Sequence, residues 1–348
     1  MPEVRKSLPP ADGGASADAL SEVLRTVRLT GATFFSAEFR APWGFTSPRL
    51  DRLIHDGDGR LVLFHLVLDG HANARVERAE AVALNAGDVV AFPHGHSHRV
   101  WQGRPARWYD TLPAATRALA GDLQVTRTGG AGELTRFVCG YFSCEPWVVD
   151  EVLGGLPSML TVGLRDGERR SWIEDAILFL AAEAASDHAG RTALLTMLSE
   201  ALFVETLRRW MTAMPAAQVG WLAGARDGVV GRALALLHRE PSRRWTLETL
   251  ARGARASRTT LADRFMYFLG ESPMTYLARW RLELGARLLQ TRRHSVLEVA
   301  GQVGYESEAA FNRAFKRQFG LPPGRYRLAH ASRQPVSTSI GDARRPGR

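Results

Sequence analysis

Three histidines alternate at His94, His96 and His98, straddling Gly95 just after Pro93, and a fourth lies upstream at His65. On an extended strand the three would share one face, because strand side chains alternate with period two. With His65 on a neighbouring inward face and the thiol of Cys139, they offer the N/S donor set that tetrahedral zinc or a similar divalent metal prefers. The candidate metal ligands are therefore His65, His94, His98 and Cys139. A plainer role is open to the same residues. Histidines beside a Pro-Gly turn are often surface groups, and a buried free cysteine behaves as a small hydrophobe. Cys139 and Cys144 stand five apart, so on one strand they face opposite sides. That disfavours a disulfide between them without rearrangement and weakens a redox-switch reading.

These residues sit in a region of short β-like runs. They are Ala32–Phe39, Leu61–Leu68, Ala74–Ala79, Asp88–Phe92, Gln124–Arg127 and Thr135–Phe142, divided by breakers such as Asp69-Gly70, Ala86-Gly87 and Gly129-Gly130. Many short strands at this spacing indicate an antiparallel barrel or jelly roll. A short amphipathic helix precedes them at Ala17–Val27, and after Pro157 the pattern turns helical, at Ser171–Ala185 and Thr192–Met211. The apolar stripe of the second helix (Leu194, Leu195, Leu198, Leu202, Phe203, Val204, Leu207) is wider than a solitary surface helix needs. It suits packing on the barrel or a dimerisation surface.

At 348 residues the chain has room for about two domains of roughly 100–200 residues. With 45% hydrophobic and 23% charged residues it is not a disordered chain, and two cysteines exclude a disulfide scaffold. No apolar run reaches the roughly 18 residues of a membrane span. The polar N-terminus is no signal peptide. The expectation is a soluble, cytoplasmic protein with no membrane partner. Of the formal net charge of +9, residues 221–348 carry +13 (23 Arg and Lys against 10 Asp and Glu), leaving −4 for residues 1–220. Lys6 and Lys316 are the only lysines, so the basic third is almost wholly arginine, suited to bidentate phosphate and guanine contacts. One nucleic-acid-facing domain joined to one of neutral chemistry is implied.

That basic third reads as seven helices, the first at Val229–His238. Thr246–Ala254 with Ser257–Phe268, and Ser295–Val303 with Ser307–Phe319, each form a helix-turn-helix, joined by the long helix Ser272–Gln290. A short helix after Pro323 closes the domain. Ser257 and Ser307 stand at the N-cap of each second helix. Residues 300–327 (AGQVGYESEAAFNRAFKRQFGLPPGRYR) closely resemble the signature of the AraC/XylS family of transcriptional regulators. Ala300, Gly304, Tyr305, Ser307, Phe311, Phe315, Phe319, Gly320, Pro323, Tyr326 and Arg327 all fall in place. The first unit is similar through Leu247, Leu250, Ala251, Ser257, Leu261, Arg264, Phe265, Gly270, Pro273 and Tyr276. The resemblance spans about 100 residues. It implies that the long helix fixes both units to enter successive major-groove segments on one DNA face.

Base-reading candidates are the exposed early positions of each second helix: Arg258, Thr259, Thr260 and Asp263 in the first, and Glu308, Ala309, Asn312 and Arg313 in the second. Arg313 leads, because an arginine in the major groove can pair with guanine O6 and N7; a phosphate contact is its other reading. Lys316, Arg317, Arg325 and Arg327 suit phosphates or helix ends. Asp263 could accept from cytosine or orient Arg258 or Arg264.

Upstream, Gly87 through His98 matches the second cupin motif (glycine, five residues, Pro-x-Gly, two residues, histidine), and Phe64–Gly70 resembles part of the first. The His-x-His and glutamate of that first motif are missing, with Leu63 where the glutamate would stand. The region resembles the cupin-type sensor of one branch of the AraC family. The expected fold is α+β: an N-terminal cupin or jelly-roll β-barrel with a helical dimerisation segment, then an all-α double helix-turn-helix. The expected boundaries are a disordered 1–16, a sensor and dimerisation domain at 17–215, a linker at 216–228, a DNA-binding domain at 229–330, and a disordered basic tail at 331–348. The resemblance implies a homodimeric, sequence-specific regulator rather than an enzyme. It binds double-stranded DNA, meets RNA polymerase if it activates, and senses a small-molecule, metal or redox signal in the barrel interior near His65 and His96. A metal-dependent cupin enzyme with an appended helical domain is the alternative.

Overall fold

The computed structural model describes residues 19–26, 31–49, 60–119, 125–144, 152–165, 189–215, 217–291 and 293–331, with scattered positions between 172 and 188. The expected ends at 1–16 and beyond 331, and most of the expected helix at 171–185, lie outside the described residues.

The N-terminal half is two facing sheets. The strands are β1 (Gly31–Arg40), β2 (Trp43–Ser47), β3 (Arg60–Asp69), β4 (His71–Val76), β5 (Val82–Asn85), β6 (Asp88–Phe92), β7 (His98–Gln102), β8 (Tyr109–Asp110), β9 (Thr126–Gly129), β10 (Leu134–Cys144) and β11 (Leu160–Gly163). One sheet runs β11-β6-β3-β10-β1-β9 and the other β5-β4-β7-β2-β8. The long β3 shows why its sequence is almost continuously apolar. Leu61, Leu63 and Val67 enter the core between the sheets with Phe39, Trp43 and Phe137. Val62, Phe64 and Leu66 join a second cluster on the outer face. A strand buried on both sides needs no polar face. The strands missed from sequence (β2, β5, β7, β8 and β11) are two to five residues long.

Among the helices, α1 (Ala19–Thr26) falls within the expected 17–27, and α2 (Leu112–Leu119) is an addition. The Asp110 carboxylate accepts from the Leu112 amide at 2.9 Å, and Pro113 occupies the first turn, so a local start signal was present. The long α3 (Arg191–Ala213) sinks Leu195, Leu202, Phe203 and Leu207 into the outer-face cluster while Leu194 and Met197 stay exposed. Packing thus accounts for one side of the broad stripe. No helix among the described residues is long and apolar enough to cross a membrane.

The C-terminal domain comprises α4 (Trp221–Arg226), α5 (Val230–Arg239), α6 (Leu247–Gly253), α7 (Arg258–Leu269), α8 (Pro273–Gln290), α9 (Val296–Gln302), α10 (Glu308–Phe319) and α11 (Pro323–Ala331). Local caps set the starts. Thr246 and Ser295 form capping boxes with Thr249 and Glu298, and Ser257, Ser272 and Ser307 each accept an amide three residues on. Gly270 and Gly320 close α7 and α10 in the left-handed conformation. Within the expected linker at 216–228 lies α4, whose Trp221, Leu222, Ala223 and Ala225 are buried with the first helix-turn-helix core. Small residues and glycines in that stretch mask an apolar packing segment.

Helix α8 belongs to two cores at once. Tyr276, Leu277 and Trp280 pack with Leu250, Leu261 and Phe265 of the first unit. Leu282, Ala286 and Leu289 pack with Val299, Phe311 and Phe315 of the second. Gly285 permits the close crossing, since a Cβ there would lie 2.9 Å from the Phe311 ring.

Candidate nucleic-acid interface and sheet-domain cavity

Each helix-turn-helix presents one polar face outward. On α7, Arg258, Thr259, Thr260 and Asp263 are exposed, while Leu261, Arg264 and Phe265 point into the core. On α10, Ala309, Arg313, Lys316 and Arg317 are exposed and Glu308 and Asn312 half-buried, with Phe311 and Phe315 inside. The Asn312 amide reaches the Glu308 carboxylate at 3.5 Å, a loose contact that a base edge could replace. All ten candidate positions thus lie off the two cores, eight of them in the first half of their helices and Lys316 and Arg317 in the last turn of α10. Arg264 and Arg327 do different work. Arg264 is paired with Asp227, both side chains nearly fully buried, so Asp263 is not what holds it. Arg327 donates to the His294 carbonyl at 2.7 Å, tying α11 to the segment before α9. Arg325 is exposed.

The relative placement of the two units rests on a contact that sequence reasoning missed. Arg281 of α8 donates to the carbonyls of Pro241 and Arg243 at 2.7 and 2.8 Å. Gly304, in the turn of the second unit at φ 88°, rests on this same loop. A Cβ there would come within 2.8 Å of the Ser242 backbone. Arg244 and Glu306 add an exposed ion pair at 3.3 Å. The available signal was the glycine itself, which a left-handed position with backbone close by requires.

In the sheet domain, the four candidate metal ligands are not gathered into one site. Pro93 to Ser97 is a turn, with Gly95 at φ 62°, so only His98 lies on a strand and the expected shared face does not form. The His94 imidazole meets the Leu156 carbonyl at 3.1 Å. Cys139 lies directly across from His65 in the β10–β3 register, but burial pushes its thiol pKa up, away from the thiolate a metal takes. Among the described residues no group of three or more His, Cys, Asp or Glu could hold a metal ion. The residues present do not fit a tetrahedral zinc centre.

His65 and His98 instead bond to one another. They come from opposite sheets, and their Nε2 atoms lie 2.8 Å apart between Phe45, Phe92 and Phe137. Burial lowers the His98 pKa to about 4, and burial together with His98 holds His65 well below the ordinary imidazole value. Both rings are neutral at pH 7. Beside them opens a cavity of about 240 Å³. Its deep walls are Ala37, Phe39, Leu63, His65, Cys139 and Tyr141, and its outer rim includes Asp110, Thr111, Arg117 and Thr128, with Ala114 and Ala115 of α2 across it. His65 lines this space; His96 does not.

Residues 18–212 match a family model described as Cupin, and residues 250–329 match one described as Helix-turn-helix domain. The chain is 38% identical over 269 residues to an AraC-like transcription regulator of Streptomyces lividans, covering 77% of this chain and 87% of that one. The chain belongs to the AraC/XylS family of transcriptional regulators. This AraC/XylS-family member is also 27% identical over 314 residues to the HTH-type transcriptional regulator AlkR of Acinetobacter baylyi, covering 89% and 99% of the two chains. Among solved structures, the DNA-binding domain of AdpA in complex with a target DNA is 36% identical, covers 30% of this chain and 96% of that one, and has a TM-score of 0.29. The regulator is thus a DNA-binding protein with a cupin domain ahead of its two helix-turn-helix units.

Proposed function

We propose that this regulator reads a specific operator with α7 and α10 and tunes that binding through a small molecule held in the cupin cavity. One observation carries the first half. Two cap-initiated helices, each with an outward polar face, are fixed to one another by α8, Arg281 and Gly304. Arg258, Thr259, Thr260 and Asp263 meet base edges in one major-groove segment, and Glu308, Ala309, Asn312 and Arg313 in the next. Lys316 and Arg317, a turn further along α10, take the phosphates. Arg313→Ala is expected to weaken operator binding by about 1–3 kcal/mol and to relax selectivity at one base pair, read by gel shift on operator variants. A loss equal at every sequence, with a salt slope shallower by about one, would reassign Arg313 to phosphate.

The protein acts as a cytoplasmic homodimer, contacting RNA polymerase where it activates. Support for the dimer comes from apolar side chains left exposed on the helical segment: Trp172, Phe179, Leu194 and Met197, the last 67% exposed. Met197→Glu is expected to shift the full chain toward monomer in sedimentation velocity while its unfolding midpoint stays put. An unchanged sedimentation coefficient removes this face from the interface.

A further inference from the structure

On the outer face of the second sheet two like charges stand side by side. Arg75 of β4 and Arg99 of β7 are directly opposite one another in the ladder. Residues so placed have Cβ atoms about 4.5–5.5 Å apart, and like charges there repel. Among the described residues neither guanidinium has a carboxylate partner. Asp110 is in register with Thr46, the next position of the same row, but its carboxylate takes the Leu112 amide.

Each arginine rests on a tryptophan instead. The Arg75 guanidinium lies 5.8 Å from the Trp101 ring centroid and that of Arg99 4.8 Å from Trp108. The two indoles meet edge to face at 6.0 Å. Trp108 lies over Gly44 of β2, where a Cβ would come within 2.9 Å of the ring. A guanidinium stacked by its face keeps its N–H edge for acceptors. Arg104 and Arg107, both exposed on the loop that carries Trp108, add two more cations. Positive charge is thus gathered on one face within residues 1–220, whose total is −4.

The layering of the fold turns this face away from the DNA-reading helices. Val62 and Phe64, on the outer face of the first sheet, share one core with Leu202 of α3, Trp221 of α4 and Leu234 of α5. The second sheet packs its inner face on the first, so its outer face lies on the far side of the sandwich from the helical domain.

We propose that this face docks an acidic helical segment of a partner protein. Two carboxylates one helical turn apart meet Arg75 and Arg99, and an apolar side chain of the segment lies against Trp101 and Trp108. Residues i and i+4 of a helix stand about 5–6 Å apart, which matches the opposed arginines. Carboxylates take guanidinium edges in paired hydrogen bonds, and tryptophan and arginine dominate the energetics of protein interfaces. The docking stands whether or not the cavity senses a ligand.

The test is fluorescence anisotropy of a labelled, alanine-rich helical peptide carrying a leucine and two glutamates four residues apart. It is added to the full-length protein saturated with duplex DNA, which occupies the basic helical domain. Binding is expected to be about tenfold or more tighter than for the same peptide with glutamines, or for an isomer whose glutamates stand two residues apart and face different ways. Arg75→Gln combined with Arg99→Gln should bring the first peptide down to the level of the glutamine peptide. Equal binding of the three peptides to the unmodified protein, or none, overturns the proposal, and that comparison needs no variant to fold. The double variant is also titrated with the duplex alone and sedimented without it. A salt slope on DNA shallower by about two, with peptide binding unchanged, would give the arginines to phosphate. A sedimentation coefficient falling to that of a monomer would give the face to a second copy. Either result overturns the proposal.

Discussion

Replacing Asp227 by alanine is expected to destabilise the helical domain by about 3–5 kcal/mol, the cost of leaving a buried charge without its partner. One carboxylate performs two tasks here. Its Oδ1 accepts from the amides of Val229 and Val230 at 3.0 and 2.9 Å, initiating α5. Its Oδ2 accepts from Arg264 on the inner face of α7, and both side chains are under 10% exposed. In Asp227→Ala the Arg264 guanidinium would keep its charge in the core, since arginine does not deprotonate. The start of α5 would lose its cap as well. The first recognition helix should therefore loosen, and operator affinity should fall with stability. Adding Arg264→Met to Asp227→Ala removes the orphaned charge and should recover much of the loss, giving a coupling energy of about 1–3 kcal/mol in urea unfolding. Strictly additive single and double variants would show that the pair does not hold the helix.

The second large effect is acid lability in both domains. In the helical domain His238 is buried among Trp221, Tyr276 and Trp280, and its Nε2 lies 2.7 Å from the Tyr276 hydroxyl. Trp221 donates to the same hydroxyl oxygen at 2.8 Å, so Tyr276 links the indole and the imidazole in the core. Burial lowers the His238 pKa to about 3, as it lowers that of His98 to about 4. The folded values lie below the ordinary one near 6.5, so between them the unfolded chain binds protons that the native protein refuses. Stability therefore falls as pH drops below 6.5, by about 2 kcal/mol per histidine at about pH 5 and about 3 by about pH 4. Urea midpoints at about pH 7.5 and pH 5 should show the decline. His238→Gln, whose uncharged amide can still hydrogen-bond with the Tyr276 hydroxyl, should flatten it in the helical domain. Midpoints that do not move with pH would contradict neutral burial of these rings.

Where an element is built by neighbours in the chain, its sequence was enough. The helix starts after Thr246, Ser257, Ser272, Ser295 and Ser307 were legible because a capping side chain reaches only three residues along. The outward positions of α7 and α10 followed from the 3.6-residue period once Leu261, Phe265, Phe311 and Phe315 were placed inside. The metal reading failed for a local reason too. It assumed strand at His94 and His96, where Pro93 and Gly95 make a turn. α4 escaped notice because Trp221 gains its burial from α5 and α8, not from its own short segment.

By itself, then, the sequence determined a jelly-roll of short strands, a basic double helix-turn-helix and the side chains it turns outward, since periodicity, caps and charge act over a few residues. Only the tertiary structure decided that Arg264 answers to Asp227, that Gly304 rests on Ser242, and that His65 bonds across the two sheets to His98. Those pairings join residues 33 to 62 positions apart. Each depends on strand register or helix crossing, quantities that exist only once separate elements have packed.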